Sequence, residues 1–197
     1  DLTDNAERDL ARVYQYAKNE KTIVAIGEIG LDYYHDKFAH GLQATFLSGQ
    51  LDIAKQTGKP AILHCRAGKG AGENDAAFAD MFHLLKEARF TDAVMHCFSG
   101  NLKQAEEALE MGLMLSFTGI VTYERNKGLR DILKHIPLER VMIETDSPFL
   151  PPENHKGEPN EPAFVIEVAK TIAEVKGLPL DEVLRVTSGN AERFFNI

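Results

Sequence analysis

Four short apolar runs along the chain are each followed by a residue that can bind a metal ion or transfer a proton. The runs are as long as buried strands and rich in branched residues, which is typical of strands covered on both faces of a parallel sheet. In parallel α/β folds the functional site lies at the carboxyl ends of the strands, so the pattern predicts one site built from four strands. The runs and the residues that follow them are 23–26 with Glu28, 60–63 with His64, 93–95 with His96, and 141–143 with Asp146.

Helical periodicity separates these runs. Residues 4–19 and a segment that begins near Lys37 place apolar side chains at every third or fourth position, which predicts amphipathic helices. A fifth apolar run, 113–117, ends without an evident metal ligand. Two short helices, 180–185 and 190–195, are expected to close the chain. The alternation of strands and helices predicts a parallel sheet with right-handed crossover connections.

The number of strands distinguishes a complete barrel from an incomplete one. A complete (β/α)8 barrel has eight strands and takes ~250 residues. The present chain of 197 residues predicts about five strands, the first of them over residues 22–28. We therefore expect an α/β fold of the TIM-barrel type that is incomplete, with its N-terminal strands absent. On this interpretation residues 1–197 form a single domain, the C-terminal part of the barrel.

Composition and charge narrow the function classes. The chain is 44% hydrophobic and 26% charged, as expected of a globular protein. No apolar stretch reaches the ~18 residues that cross a membrane. The formal net charge of −8 argues against a broad basic face for nucleic acid, although bound divalent cations supply positive charge locally. The polar first residues show no signal peptide, and two cysteines cannot form a disulfide framework, so we expect a cytoplasmic protein with no membrane partner.

The predicted site combines two imidazoles with two carboxylates, from Glu28, His64, His96 and Asp146. Nitrogen together with carboxylate oxygen suits zinc, manganese or iron(II), and magnesium where carboxylates dominate. A carboxylate can bridge two ions, and a two-metal site can hold both the attacking and the leaving oxygen of a phosphodiester. Any one of these residues alone is more often structural. Four of them at strand ends favour a metal site.

The two cysteines offer a competing zinc site, because Cys65 and Cys97 each follow one of the histidines. Neighbouring residues of a strand point to opposite faces of the sheet. If the histidines face the site, the cysteines face the outer helices. We therefore expect both cysteines to be buried thiols.

Candidate substrate contacts lie close to the predicted ligands. Arg66, just beyond His64, can form charge-assisted hydrogen bonds to a phosphate, or an ordinary ion pair. Lys156 and Asn160 lie in the long loop that follows Asp146, and such loops often carry functional residues. We take these three residues as candidates for substrate binding.

Four further positions have both a functional and a structural interpretation. Lys69 lies in a glycine-rich loop and can contact a phosphate, but flexible loops often carry a lysine without a specific role. Tyr33 and Tyr34 can stack on a base, although packing of their loop is the more frequent role. Asp32 is expected to hold this loop rather than to act as a base.

Several segments resemble those of one protein family. In order and spacing, they are GEIGLDYY at 27–34, ILHCR at 62–66, HCFSG at 96–100, FTGIV at 117–121, ETDSPFL at 144–150, NEP at 160–162 and NAERFF at 190–195. Together they resemble the TatD-type metal-dependent deoxyribonucleases, which belong to the amidohydrolase-like TIM-barrel metal hydrolases. The resemblance covers essentially the whole chain.

The resemblance implies a reaction and a role for each predicted ligand. Glu28 would bridge a two-metal centre, and His64 and His96 would complete the shell of one metal. Asp146 would belong to the other metal and help to activate the attacking water. The implied function is hydrolysis of phosphodiester bonds in DNA, single-stranded or at 3′ ends, with two divalent ions (Mg, Mn or Zn) per complete site.

One feature of the family pattern is missing from this sequence. The family carries a His-x-His pair at the end of its first barrel strand, and this chain contains no His-x-His. The resemblance therefore implies a chain without the N-terminal part of the barrel and without two imidazole ligands. Two alternatives stay open. One is an amidohydrolase acting on a carbon–nitrogen bond, although no predicted strand end carries the lysine often found there. The other is a catalytically impaired, truncated fragment.

Overall fold

The computed structural model describes residues 5–35, 37–70 and 76–197 of the chain. They form two compact units. The first unit comprises the described residues from 5 to 95 together with Met111–Leu113 and Ile197. The second comprises His96–Glu110 and Met114–Asn196. The expectation of one domain over residues 1–197 stays a prediction.

Three parallel strands and three helices make up the first unit. β1 pairs with β2, and β2 pairs with β3. The second helix buries Leu47, Leu51 and Ala54 and ends at Gly58, whose left-handed backbone lets its N–H reach the carbonyl of Ala54. The elements are α1 Ala6–Asn19, β1 Ile26–Asp32, α2 His40–Thr57, β2 Ala61–Arg66, α3 Ala76–Ala88 and β3 Ala93–Met95.

The first strand lies later in the chain than the hydrophobic pattern predicts. Residues 22–28 were expected to form it, but β1 begins at Ile26, which pairs with Ala61, and continues to Asp32. The prediction is wrong because Val24, inside the apolar run, is 39% exposed rather than buried. Residues 26–32 contain two glycines and have a low propensity for strand. They form a strand because they pair with β2.

This shift changes the position of two predicted ligands. Glu28 lies within β1, where the register against β2 shifts between Ile26 and Ile29, and not at the end of the strand. His64 also lies inside its strand, because β2 continues to Arg66. The interpretation of these two residues as the last of their strands is therefore wrong. A bulge redirects side chains in a way that strict alternation does not predict.

A close approach of two backbones fixes the pairing beside His64. Gly30 is paired with His64 and has a positive φ of 153°. A Cβ atom added at Gly30 would lie 1.8 Å from the carbonyl oxygen of His64. Only glycine fits at this position.

The second unit contains two parallel strands, four α-helices and five short 3₁₀ helices. Leu115 pairs with Val141, and Phe117 pairs with Ile143. Strand and helix side chains such as Phe117, Leu133 and Ile172 form its core. The elements are α4 Leu102–Glu110, β4 Met114–Phe117, α5 Lys127–His135, β5 Val141–Ile143, α6 Val165–Lys176 and α7 Leu180–Phe195.

The chain closes with one long helix instead of the two short helices that were predicted. α7 runs unbroken through the segment VTSG at 186–189, which the sequence pattern treats as a break. Thr187 is buried, and its hydroxyl donates a hydrogen bond to the carbonyl of Val183 one turn earlier. Tertiary packing therefore overrides the low helix propensity of these residues. In the part of the chain that the structure describes, no helix is both long and apolar enough for a membrane crossing.

Asn190 on α7 anchors the start of β5. Its amide nitrogen donates to the carbonyls of Leu138 at 2.8 Å and Val141 at 2.7 Å, and its oxygen accepts from Arg193 at 2.6 Å. We expect Asn190→Ala to lower the free energy of unfolding by about 2 kcal/mol, because it leaves buried polar groups unpaired. Urea unfolding measures this change. Asn19→Ala, which removes an exposed amide from α1, should change the stability by less than about 0.5 kcal/mol; equal effects of the two variants would contradict the anchoring role.

Candidate functional site

In the first unit, His64 lies between two carboxylates. Its Nδ1 is 2.7 Å from Oε1 of Glu28, and its Nε2 is 3.5 Å from Oδ2 of Asp32. The first contact is a hydrogen bond, whereas the second is longer than one. The side chains of all three residues are only partly exposed, at 32% for His64, 47% for Glu28 and 29% for Asp32. The structure thus brings together two of the predicted ligands and adds Asp32 to them.

Asp32 also holds the loop after β1, as predicted. Its Oδ1 accepts the backbone N–H groups of Tyr34 at 2.9 Å and His35 at 3.1 Å. The buried side chain of Gln43 bonds both the N–H and the carbonyl of Asp32. Burial raises the pKa of the Asp32 carboxyl, but the hydrogen bonds from His35 and the nearby charge of His64 outweigh it and lower that pKa. The Asp32 carboxylate is therefore ionised at neutral pH.

An open cleft of about 530 Å³ gives access to this cluster. Its lining includes Glu28, Asp32, His64, His35 and Lys37, all from the first unit. The cleft is large enough for a small organic group or part of a polymer. His64 and its two carboxylates are consequently accessible to a ligand.

In the second unit, His96 has the same kind of surroundings. Its Nδ1 is hydrogen-bonded to Oε2 of Glu144, and its Nε2 is 3.5 Å from Oδ1 of Asp146. The other oxygen of Glu144 accepts the N–H of Cys97 at 2.8 Å. As predicted, His96 directly follows β3, and Asp146 lies shortly after β5. Each histidine therefore has a glutamate at Nδ1 and an aspartate near Nε2.

The carboxylate of Glu144 controls the orientation of His96. Burial raises the pKa of Glu144, but the hydrogen bond and charge of His96, with further hydrogen bonds from Cys97 and Ser116, lower it to a greater extent. An ionised Glu144 accepts the Nδ1–H of His96, so a neutral ring presents the lone pair of Nε2 towards Asp146. This arrangement, in which a carboxylate fixes the ring of a histidine, is typical of histidines that bind metals.

Asn160 supports the backbone around Asp146. Its side-chain nitrogen donates to the carbonyls of Thr145 at 2.7 Å and Phe149 at 2.6 Å. Asn160 is 5% exposed, and within the described residues its Oδ1 is buried without a hydrogen-bond partner. Asp146 itself has a φ of 60°, a left-handed conformation that Asp tolerates better than most residues. The structure thus places Asn160 as a support of the loop, whereas a substrate contact through Oδ1 stays a prediction.

The other predicted residues lie as follows. Lys156 is exposed and pairs with Glu153 at 3.2 Å. Arg66 ends β2, and its guanidinium lies over the ring of Tyr34. Cys65 is buried, as expected, whereas the prediction for Cys97 is wrong because this residue is only half-buried. The sulfur of Cys97 lies 3.2 Å from the hydroxyl of Thr118, and its N–H binds Glu144.

Sequence reasoning missed Glu144 as a functional residue and gave Asp32 only a role in its loop. A signal for Glu144 existed, since it directly follows β5 and precedes Asp146 by two positions. Residues two apart in an extended segment point to the same side. No comparable signal existed for Asp32, because the bulge in β1 hides its relation to Glu28.

The donor types in each cluster suit a divalent metal ion, and one pair of donor atoms, Nε2 and an aspartate oxygen, has a suitable separation. Two ligand atoms held about 2.1 Å from one ion lie about 3.0–3.5 Å apart, and the Nε2 to aspartate distance is 3.5 Å in both clusters. Among the residues that the structure describes, no group of three or more His, Cys, Asp or Glu side chains has an arrangement that could hold a metal ion. Each cluster is therefore an imidazole oriented between carboxylates.

A family model described as TatD-related DNase matches residues 1–196, almost the whole chain. The chain belongs to this family. Membership confirms the recognition made from the sequence motifs. At the level of the family, it also confirms the enzyme class, a metal-dependent hydrolase.

Curated relatives in the TatD-related family share about a third of their residues with the chain. The "uncharacterized metal-dependent hydrolase YabD" of Bacillus subtilis (strain 168) is 39% identical over all of this chain and 74% of its own length. The "uncharacterized metal-dependent hydrolase YcfH" of Escherichia coli (strain K12) is 37% identical over 90% of this chain and 64% of its own length. The "3'-5' ssDNA/RNA exonuclease TatD" of Pantoea ananatis is 34% identical over 96% of the chain and 72% of its own length. The chain thus spans between about two thirds and three quarters of these relatives.

Solved structures of the same family confirm the fold class. A TatD homologue of E. coli K12, YJJV, gives a TM-score of 0.87 at 30% identity, over 97% of this chain and 71% of its own. A TatD family hydrolase from Entamoeba histolytica gives 0.77 at 25% identity, over 91% of this chain and 65% of its own. The predicted α/β fold of the TIM-barrel metal hydrolases is therefore confirmed. The absence of N-terminal strands stays a prediction.

Proposed function

We propose that this protein is a metal-dependent phosphodiesterase that hydrolyses DNA and that Glu28, His64, His96 and Asp146 bind its metal ions. The observation that carries the proposal is the arrangement shared by the two histidines. Each has a glutamate at Nδ1 and an aspartate 3.5 Å from Nε2. Membership of the TatD-related DNase family supports the reaction class.

The proposed ligands divide into two pairs, one in each unit. His64 and Glu28 contribute from the first unit, and His96 and Asp146 from the second. Divalent ions held by these residues, two per complete site and of Mg, Mn or Zn type, would supply a Lewis acid for the phosphoryl oxygen and a lower pKa for bound water. The Asp146 carboxylate accepts the proton of the attacking water, and Glu144 keeps the ring of His96 in place. Asp146 and Glu28 are thus the proposed catalytic residues.

We propose single-stranded DNA, attacked from its 3′ end, as the substrate. The name of the Pantoea ananatis relative, a 3′–5′ ssDNA/RNA exonuclease, supports this polarity and the preference for single strands. A protein with a net charge of −8 has no general attraction for nucleic acid. The clusters around His64 and His96, once loaded with cations, provide the local positive charge that a phosphodiester needs.

A cleavage assay tests this function. The purified protein is given Mg²⁺ or Mn²⁺ and a 5′-labelled single-stranded oligonucleotide, and products are resolved by length. The proposal predicts progressive shortening from the 3′ end that EDTA stops and that Glu28→Ala abolishes. Absence of shortening with every metal, or equal shortening by Glu28→Ala, contradicts it. Turnover of cyclic amides or lactones without DNA cleavage would support the amidohydrolase alternative.

The role of Glu144 gives a prediction about metal affinity. Glu144→Gln keeps the shape of the side chain but has one oxygen for two donors, the Nδ1–H of His96 and the N–H of Cys97. One donor then faces an NH₂ group, so the His96 ring loses its fixed orientation. We expect Mn²⁺ affinity, measured by titration calorimetry, to fall about 10- to 100-fold. Glu124→Gln, at a side chain that is 97% exposed, should leave the affinity unchanged. Unchanged affinity in Glu144→Gln would contradict the role.

A further inference from the structure

Three side chains beyond the predicted ligands form an aromatic and cationic group in the first unit. The guanidinium carbon of Arg66 lies 4.2 Å from the centre of the Tyr34 ring. The Nζ atom of Lys69 lies 5.3 Å from the same centre. Both distances are within the range of cation–π interactions, about 6 Å. We call these three residues the Tyr34 cluster.

Backbone contacts hold two members of the Tyr34 cluster, Tyr34 and Arg66, in place. Asp32 is paired with Arg66 across β1 and β2, and its carboxylate accepts the N–H of Tyr34. The N–H of Tyr33, the residue after Asp32, donates to the carbonyl of Arg66 at 3.0 Å. The ring and the guanidinium are therefore pre-organised rather than free to move apart, which lowers the entropic cost of binding a ligand.

The Tyr34 cluster concentrates positive charge at an exposed position. Tyr34 is 38% exposed, and both cations are exposed as well. Within the described ranges, neither Arg66 nor Lys69 is paired with a carboxylate. Two like charges on one ring repel each other, and an anion bound between them relieves that repulsion. In a protein with a net charge of −8 such a position stands out as a site for an anion.

The cluster lies next to a proposed metal ligand. His64 and Arg66 are two residues apart on β2, so their side chains leave the same face of the strand about 7 Å apart. A polymer whose phosphate reaches His64 therefore passes Arg66. The position of Arg66 therefore suits the phosphate of a neighbouring nucleotide better than the scissile phosphate itself.

We infer that the Tyr34 cluster binds a backbone phosphate of the nucleic-acid substrate next to the scissile bond, an inference that rests on the proposed nuclease function. The guanidinium lies over the ring of Tyr34, and its N–H groups can donate two hydrogen bonds to phosphate oxygens. Lys69 adds a point charge to the same phosphate. Tyr34 acts as the support of Arg66 and not as a platform for a base, because Arg66 covers its ring.

A measurement of DNA binding under conditions that prevent cleavage tests this inference. Fluorescence anisotropy measures the affinity of the protein for labelled oligo(dT) in EDTA over a range of salt concentrations. Each phosphate contact on single-stranded DNA contributes about 0.7 to the slope of log affinity against log salt. Because both cations bind one phosphate, we expect Arg66→Ala/Lys69→Ala to reduce the slope by about 0.7 and to weaken binding at low salt at least about 10-fold. Arg66→Lys should keep the slope and weaken binding only in part.

The matched control removes the same charges from another surface. Arg12→Ala/Lys18→Ala changes two exposed cations on α1, one of which, Lys18, lies over the ring of Tyr14 at 5.4 Å. This variant should keep the slope of the unmodified protein. An equal reduction of the slope in both double variants, or none in Arg66→Ala/Lys69→Ala, would overturn the inference. Circular dichroism and a thermal melt confirm that each variant is folded.

The cleavage assay separates this inference from the proposed function. If the unmodified protein shortens DNA with Mg²⁺ or Mn²⁺ while the Arg66 and Lys69 variant retains the full salt slope, the inference alone fails. If the unmodified protein neither binds nor cleaves DNA with any metal, the proposed function fails and the inference with it.

Discussion

Asp146→Asn should lower the rate of metal-dependent DNA hydrolysis by about 10²- to 10⁴-fold. The carboxylate of Asp146 lies 3.5 Å from Nε2 of His96 and is the proposed proton acceptor for the attacking water. An asparagine amide has the same shape but cannot take up this proton, and it is a weaker metal ligand. Single-turnover cleavage of a 5′-labelled oligonucleotide with saturating Mn²⁺ measures the change in rate.

The control for this prediction is Asp131→Asn. Asp131 is an exposed carboxylate on α5 that pairs with Lys134 at 2.7 Å, and its loss should leave the rate within about twofold. The thermal melting temperature of Asp146→Asn should stay close to that of the unmodified protein because the substitution preserves shape. A folded Asp146→Asn variant that cleaves at the normal rate would exclude a catalytic role for this residue.

Gly30→Ala should lower the free energy of unfolding by more than about 3 kcal/mol. The added Cβ would lie 1.8 Å from the carbonyl oxygen of His64, and Cβ atoms essentially never approach another atom closer than 3.0 Å. The obstructing atoms belong to the backbone of β2, so no side chain can rotate away. The strands must separate, which breaks their hydrogen bonds and displaces His64 from Glu28. Urea unfolding measures the loss of stability.

Gly41→Ala is the matched control for the strand glycine. Gly41 lies in the first turn of α2, and a Cβ added there meets no atom within 4 Å. Alanine favours a helix more than glycine does, so this variant should be unchanged or more stable by up to about 1 kcal/mol. If Gly30→Ala were as stable as Gly41→Ala, the close approach of β1 and β2 would be refuted.

Hydrophobic patterning predicted the positions of the candidate ligands in the second unit better than those in the first unit. His96 and Asp146 follow short, buried strands, Ala93–Met95 and Val141–Ile143, that contain no glycine. Such runs have few alternative interpretations. Glu28 lies instead in a strand with two glycines and a register shift, whose structure depends on pairing with β2. That pairing is a tertiary interaction, and local sequence does not encode it.

The partners of the histidines were harder to predict than the histidines themselves. Glu144 contacts His96 from 48 positions along the chain, and only the fold shows that the two residues meet. The same is true of the cation–π contact between Arg66, at the end of β2, and Tyr34, in the loop after β1. Sequence patterns identify residues with suitable chemistry. The assembled strands determine which of them orient the others.

The side chains around the two histidines have the same arrangement. In each cluster, a glutamate bonds Nδ1 and an aspartate lies at 3.5 Å from Nε2. A glutamate that fixes the ring leaves the opposite nitrogen in a defined direction, which reduces the entropy lost when an ion binds. Both rings are therefore oriented before any ion binds, which supports the proposed metal binding.

The most direct measurement of the central claim is an anomalous difference map from crystals of the protein soaked in Mn²⁺. We expect manganese in contact with Glu28 and His64 in the first unit and with His96 and Asp146 in the second. A protein that cleaves DNA with manganese while its ions bind away from all four side chains would contradict the account.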